Sequence, residues 1–204
     1  MTTYTAIANS EIDADSPVTT TLMQAMRDNP IAIAEGSADA TVVAAGWHPY
    51  DMVNVGDGND GAIYDSATDG AVATVASPNF ADGYEYMVIV EGIGSASTTT
   101  FDARLYTDTS ATWGAWVALT ASINFTIAAN RPVGFVEIPL PRFAQYYHAA
   151  PTQLGNTSGS IGIANPSVTR TGRETVGAIE FRTDGTFISS GKLKLLRRRE
   201  YFTG

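Results

Sequence analysis

From Gly83 onward, apolar side chains recur at every second position, a period that a chain can bury only as strands with one packed face and one wet face. Tyr84, Tyr86, Val88 and Val90 fall on one side of such a strand. Ile123, Phe125 and Ile127 alternate with Asn124 and Thr126, and Val136, Ile138 and Leu140 repeat the pattern. Further strands are expected over 100–107, 114–120, 158–164, 176–183 and 187–196, with weaker ones at 41–47 and 71–76. Asp184-Gly185 is a tight-turn signal between two of these runs. No repeat of fixed period is present, so a solenoid or propeller is disfavoured. The expected fold is mainly β, an antiparallel β-sandwich or jelly-roll with one short N-terminal α-helix.

That helix is expected to start with Ser16 as cap and Pro17 at the first helical position, and to stop at Pro30. Val18, Leu22 and Met26 recur at four-residue spacing and, with Met23 and Ala25, give it an apolar face. At about three turns it is too short to persist alone in water, so it must dock. Residues 1–36 are accordingly read as a strand-helix anchoring segment and 37–204 as the β-domain. Val18, Leu22, Met23, Met26 and Arg27 are the candidate anchoring residues.

Only 16% of the 204 residues are charged, against roughly 25% in an average soluble domain. The absence of cysteine excludes disulfides, thiolate metal sites and a thiolate nucleophile. Residues 1–10 lack the basic start and apolar run of a secretory signal, and no stretch approaches a membrane helix, so a soluble protein made in a cytoplasm is expected. The net charge of −9 is unevenly spread: residues 1–108 carry 16 acidic and two basic side chains, whereas 109–204 carry five acidic and ten basic. Lys192, Lys194, Arg197, Arg198 and Arg199 form a basic run that alternates with Leu193 and Leu195. As a strand it turns its leucines inward and guards a sheet edge with its lysines. These five residues are the candidate contacts to a protein partner or a neighbouring copy, the alternative being that the two charge poles interleave within the fold. Nucleic acid is not expected as a partner, because the chain is acidic overall and carries no basic-aromatic platform.

Two stretches carry a resemblance. Residues 10–19, SEIDADSPVT, followed by Leu22 and by 26–36, MRDNPIAIAEG, resemble an opening of virion proteins of tailed bacteriophages, in which a short strand and a capped helix precede a β-sandwich. Tyr84-Glu85-Tyr86, the 101–106 stretch FDARLY and Trp113-Gly114-Ala115-Trp116 are similar to paired strands of phage appendage and decoration sandwiches. The resemblance implies a structural virion protein, often a homotrimer, at a tail fibre, baseplate, head spike or capsid surface, with itself and other virion proteins as partners. The chain lacks coiled-coil heptads and glycine-rich shaft repeats, so an appendage built from it is short.

No chemical motif competes with that reading. Gly56-Asp57-Gly58-Asn59-Asp60-Gly61 is similar to one turn of a calcium-binding nonapeptide repeat, but it occurs once and lacks the length and closing Glu of an EF-hand, so a Gly/Asp turn is expected. His48 and His148 stand outside any spaced ligand pattern, and no GxSxG elbow is present. No pair of carboxylates is singled out for glycoside cleavage. The expectation is therefore a non-enzymatic protein without a metal or cofactor. Trp113, Trp116, Tyr146 and Tyr147 can stack on sugar rings of a host surface, or else Trp116 packs in the core and the tyrosines cover a sheet edge. A carbohydrate-binding module is thus a competing class, and a capsid decoration protein a variant of the first.

Overall fold

The structure, a computed structural model, describes residues 4–12, 15, 17–34, 46–52, 58–108, 110–139, 145–150, 152–156 and 168–199. Two compact units result, one of residues 1–46 and 51–60, the other of 47–50 and 61–204. The first contains the helix α1, Thr20–Ala34. The second contains the four-residue helix α2, Ser66–Asp69, and fifteen strands among the described residues. These are β1 His48–Pro49, β2 Ala62–Asp65, β3 Thr74–Ala76, β4 Tyr84–Ser95 and β5 Thr98–Thr99. They continue as β6 Phe101–Thr107, β7 Thr112–Trp113, β8 Val117–Ala118, β9 Ile123–Asn124 and β10 Pro132–Ile138. The remainder are β11 Gln145–Ala150, β12 Thr152–Asn156, β13 Val168–Glu174, β14 Val176–Thr183 and β15 Ile188–Arg199.

All the paired strands run antiparallel. One sheet has the order β1-β15-β4-β10-β12, with β2 sharing the β1 edge of β15; a second has the order β3-β14-β6-β7, with β8 sharing the β7 edge of β6. The pairs β5–β9 and β11–β13 stand as two-stranded sheets. One buried cluster draws on both principal sheets: Tyr86, Val88, Val90, Leu193 and Leu195 from the first, Phe101, Leu105, Ile179 and Phe181 from the second. The rings of Phe101 and Phe181 stack 5.5 Å apart. The expected alternation of β4 therefore holds through Val90.

Beyond Val90 the alternation breaks for a reason the glycines supply. Between Lys192↔Glu91 and Ser190↔Gly94 the β4–β15 register shifts, and Gly92 and Gly191 there adopt φ of 66° and 93°. Before the bulge the even residues of β4 are buried; after it Ile93 and Ser95 are. On β15, Leu193 and Leu195 are buried on one side of Gly191 and Ile188 on the other. An extra residue in one strand switches the face that its successors present, and glycine permits the backbone angles this needs.

Several boundaries differ from expectation. The helix begins at Thr20 rather than Pro17: Thr19 caps it, its Oγ1 accepting from the Leu22 N–H at 3.1 Å, while Ser16 lies outside the described residues. Pro30 stands inside the helix. Proline removes one intrahelical donor, and because Pro30 is exposed the carbonyl left over can be hydrated. The alternation at Ile123, Phe125 and Ile127 fails after Asn124. There the Asn124 Oδ1 accepts from both the N–H of Thr126 at 3.0 Å and its hydroxyl at 2.7 Å, an Asx-type turn that ends the strand and leaves Ile127 exposed. The 114–120 run forms only the two residues of β8. Asp184-Gly185 does make a tight turn, with the Thr186 N–H donating to the Thr183 carbonyl at 3.3 Å, but it carries the chain from one sheet to the other. Residues 41–45, Leu140 and 158–164 lie outside the described residues.

A Cβ on Gly191 would lie 2.6 Å from the carbonyl oxygens of Glu91 and Gly92, whereas one on Gly185 would meet nothing within 4 Å. Gly191→Ala is expected to destabilise the protein by roughly 2–4 kcal/mol, and Gly185→Ala, at a similar φ but in open space, by only about 1 kcal/mol. Chemical denaturation of the two variants followed by circular dichroism measures the difference.

Candidate functional site

The proposed anchoring residues differ in burial. Leu22 is 6% exposed and Ala25 is buried with it, whereas Val18 is 74% and Met26 59% exposed, and Met23 and Ile31 stand exposed as well. With about 100° per residue, the buried Leu22, Ala25 and Ala32 fall within one arc of about 80°; Met26 lies about 40° beyond Leu22 at the edge of that arc, Met23 about 100° from Leu22, and Ile31 on the far side. Val18 precedes the first helical turn. Arg27 donates to both carboxylate oxygens of its neighbour Asp28, at 2.5 and 2.9 Å, which raises the guanidinium's pKa and lowers the carboxyl's. Asn29 has a role the sequence did not reveal: its side-chain amide accepts from the Thr5 N–H at 2.9 Å and donates to the Thr5 carbonyl at 2.8 Å. A side chain thus pairs with the N-terminal backbone as a strand would.

The basic run lies on β15, and the sheet supplies partners to each of its members. Lys192 pairs with Asp65 at 2.8 Å, Lys194 with Glu91 at 3.2 Å and Arg198 with Glu85 at 2.6 Å. The Arg198 guanidinium also lies 4.5 Å from the Trp47 ring centroid. Arg197 donates to His48 Nε2 at 3.4 Å, and Arg197 and Arg199 approach the Tyr84 ring at 4.8 and 5.9 Å. The acidic half of the sequence thus supplies the carboxylates for its basic end, the interleaving alternative set out above. Asp65 holds a second position as well, capping α2 by accepting from the Ala67 N–H. The Lys192 hydrogen bond, followed by the Ala67 N–H, lowers its pKa.

The aromatic candidates divide. Trp113 and Trp116 come together on the second sheet, on the side opposite the buried cluster, around a ladder of charges on β6 and β14. Arg104 donates to Glu180 at 2.6 Å, and Arg182 bonds Asp102 at 3.1 Å and Asp184 at 2.8 Å. The Arg104 guanidinium lies 5.0 Å from the Trp113 ring and 4.3 Å from Trp116; that of Arg182 lies 4.4 Å from Trp116. Tryptophan and arginine therefore alternate in contact order, Trp113–Arg104–Trp116–Arg182, with Tyr106 tilted against Trp113 at 5.2 Å. Trp116 is half-buried over these guanidinium groups and is no member of the core cluster. Tyr146 and Tyr147 lie in β11, and their side chains, like that of His148, fall outside the described residues.

In the Gly/Asp turn, Gly56 and Asp57 lie outside the described residues. The Asn59 amide donates to the Asp51 carbonyl at 3.1 Å, and the Gly61 carbonyl accepts from the Leu195 N–H at 2.7 Å. Among the described residues no group of three or more His, Asp or Glu is placed to hold a metal ion, and no helix is long and apolar enough to cross a membrane. The chain matches no family model, no curated protein and no solved structure.

Trp116→Ala removes two cation–π contacts and opens the carboxylate–guanidinium ladder to water. A loss of about 2 kcal/mol is expected in urea denaturation, with the β-sheet dichroism intact below the transition. The Asp65 carboxylate has a lower pKa folded than unfolded, so its stabilising effect is complete above the ordinary carboxylate range and is lost as pH falls through the lowered value. Thermal midpoints measured from about pH 6 to about pH 2 should therefore fall less for Asp65→Asn than for the unaltered protein.

Proposed function

We propose that this chain is a non-enzymatic structural protein of a tailed-bacteriophage particle, self-associating within a short appendage such as a tail fibre, baseplate or spike. The observation that carries the reading is where its exposed apolar surface lies. Seven large apolar side chains stand exposed among the described residues, and five of them, Ile12, Val18, Met23, Met26 and Ile31, belong to the small N-terminal unit. An amphipathic helix buries one stripe and wets the other; α1 has apolar residues on both sides. Its second side gains free energy only when a neighbouring subunit or another virion protein covers it. This is the segment whose sequence resembles the opening of phage virion proteins.

The body suits the same role. One cluster drawn from two antiparallel sheets supports a β-sandwich, and cross-strand ion pairs tie neighbouring strands within each sheet. A capsid decoration protein uses the same parts, and locating the chain on intact particles separates the two. The double variant Met23→Asp/Met26→Asp should retain the β-sheet dichroism and the thermal midpoint of the body. By light scattering it should be reduced to a monomer, and particles made with it should lack the protein. Unchanged oligomeric state together with unimpaired incorporation would overturn the proposal.

A further inference from the structure

Phe187 is 56% exposed, although the backbone on both sides of it is held firmly. Thr186 bridges to Thr183 across the tight turn. Ile188 is fully buried, and its N–H and carbonyl bond the carbonyl and N–H of Val72 at 2.8 and 2.9 Å. The ring is thus displayed by a rigid turn. It borders an open cleft of about 290 Å³ lined by Ala73, Thr74, Arg182, Thr183, Gly185 and Thr186. Gly185 adds no side chain to the space, and a Cβ there would touch nothing within 4 Å.

The polar groups of the cleft are fixed in place. The Arg182 guanidinium is held from three directions: Nε by Asp102, Nη2 by Asp184, and its face by the Trp116 ring. These bonds leave Nη1 with donors to offer. Asp184, paired with Arg182 through Oδ1, keeps a side chain 58% accessible between two lining residues, and Thr74 and Thr186 contribute hydroxyls. Arg182 is already neutralised by two carboxylates, so the cleft has no attraction for an anion.

We propose that this cleft is a binding site for a neutral pyranose ring. An exposed aromatic face beside hydroxyls, a guanidinium and a carboxylate complements a molecule with one apolar C–H face and a rim of hydroxyls that both donate and accept. An anionic ligand answers this combination less well, because Arg182 is already met by two carboxylates. The site is distinct from Trp113 and the outer side of Trp116, whose role here is to orient Arg182. It does not rest on the particle assignment, since sugar binding and particle incorporation are read by separate measurements.

Saturation-transfer NMR of the full chain with methyl glucoside, methyl galactoside, methyl mannoside and N-acetylglucosamine tests it. Transfer to at least one pyranoside is expected, with a Kd on the order of millimolar, as suits a shallow cleft. Phe187→Ala should weaken that binding by about tenfold or more with little change in the thermal midpoint, since the ring is exposed. Arg182→Lys should weaken it as well, because a lysine cannot reproduce the forked contacts. No transfer to any of the four sugars would overturn the proposal. So would binding that survives Phe187→Ala but is lost in Trp113→Ala, which would move the site to the tryptophans.

Discussion

Two twelve-residue strands at the centre of one sheet set the geometry of the β-body, and neither could lie flat along its whole length. β4 and β15 both change the face they bury part-way along, at two successive register shifts, one on either side of Ser190, next to Gly92 and Gly191 with their positive φ. Without them, the side chains that fill the core at one end would point to solvent at the other. β14 uses a smaller version of the device: its register against β6 shifts between Val176 and Ala178, and Gly177 sits so close to Asp108 that a Cβ would overlap the carboxylate. The core is therefore filled by strands that are kinked at glycine rather than by regular ones.

The alternation of Tyr86, Val88 and Val90, the 176–183 strand and the Asp184-Gly185 turn were legible because each depends on a few consecutive residues. The bulge was only partly so. Glycine inside a strand pattern signals a bulge, and Glu91-Gly92-Ile93-Gly94 carries that signal, but which residues oppose it depends on the partner strand. The helix was found while its limits were misread, because the Thr19 cap and the tolerance of an exposed Pro30 rest on context that propensity does not contain. The failure at Ile127 has the same origin: one Asn side chain competing for a backbone N–H outweighed an apolar period.

The polar features were the least legible. Arg104 opposite Glu180 and Arg182 opposite Asp102 are cross-strand pairs, and such pairs exist only once register is known. The sequence displayed a basic run and an acidic half as separate poles; the sheets bring Lys192, Lys194 and Arg198 against Asp65, Glu91 and Glu85. Trp113 and Trp116 could be nominated from their spacing, but the guanidinium groups beneath them come from strands distant in sequence. Phe187 is legible only as the start of the 187–196 strand; the strand begins at Ile188 and leaves the ring exposed, and one phenylalanine among strand residues carries no sign of that.

The place of β15 has a consequence in time. This last described strand lies between β4 on one side and β1 and β2 on the other, so its partners wait for it: Arg197 meets His48 across 149 positions of chain. Loop closure over such separations slows folding. The first sheet cannot close until β15 has left the ribosome, well after β1 and β4. The N-terminal unit, whose residues end at 60, is synthesised long before.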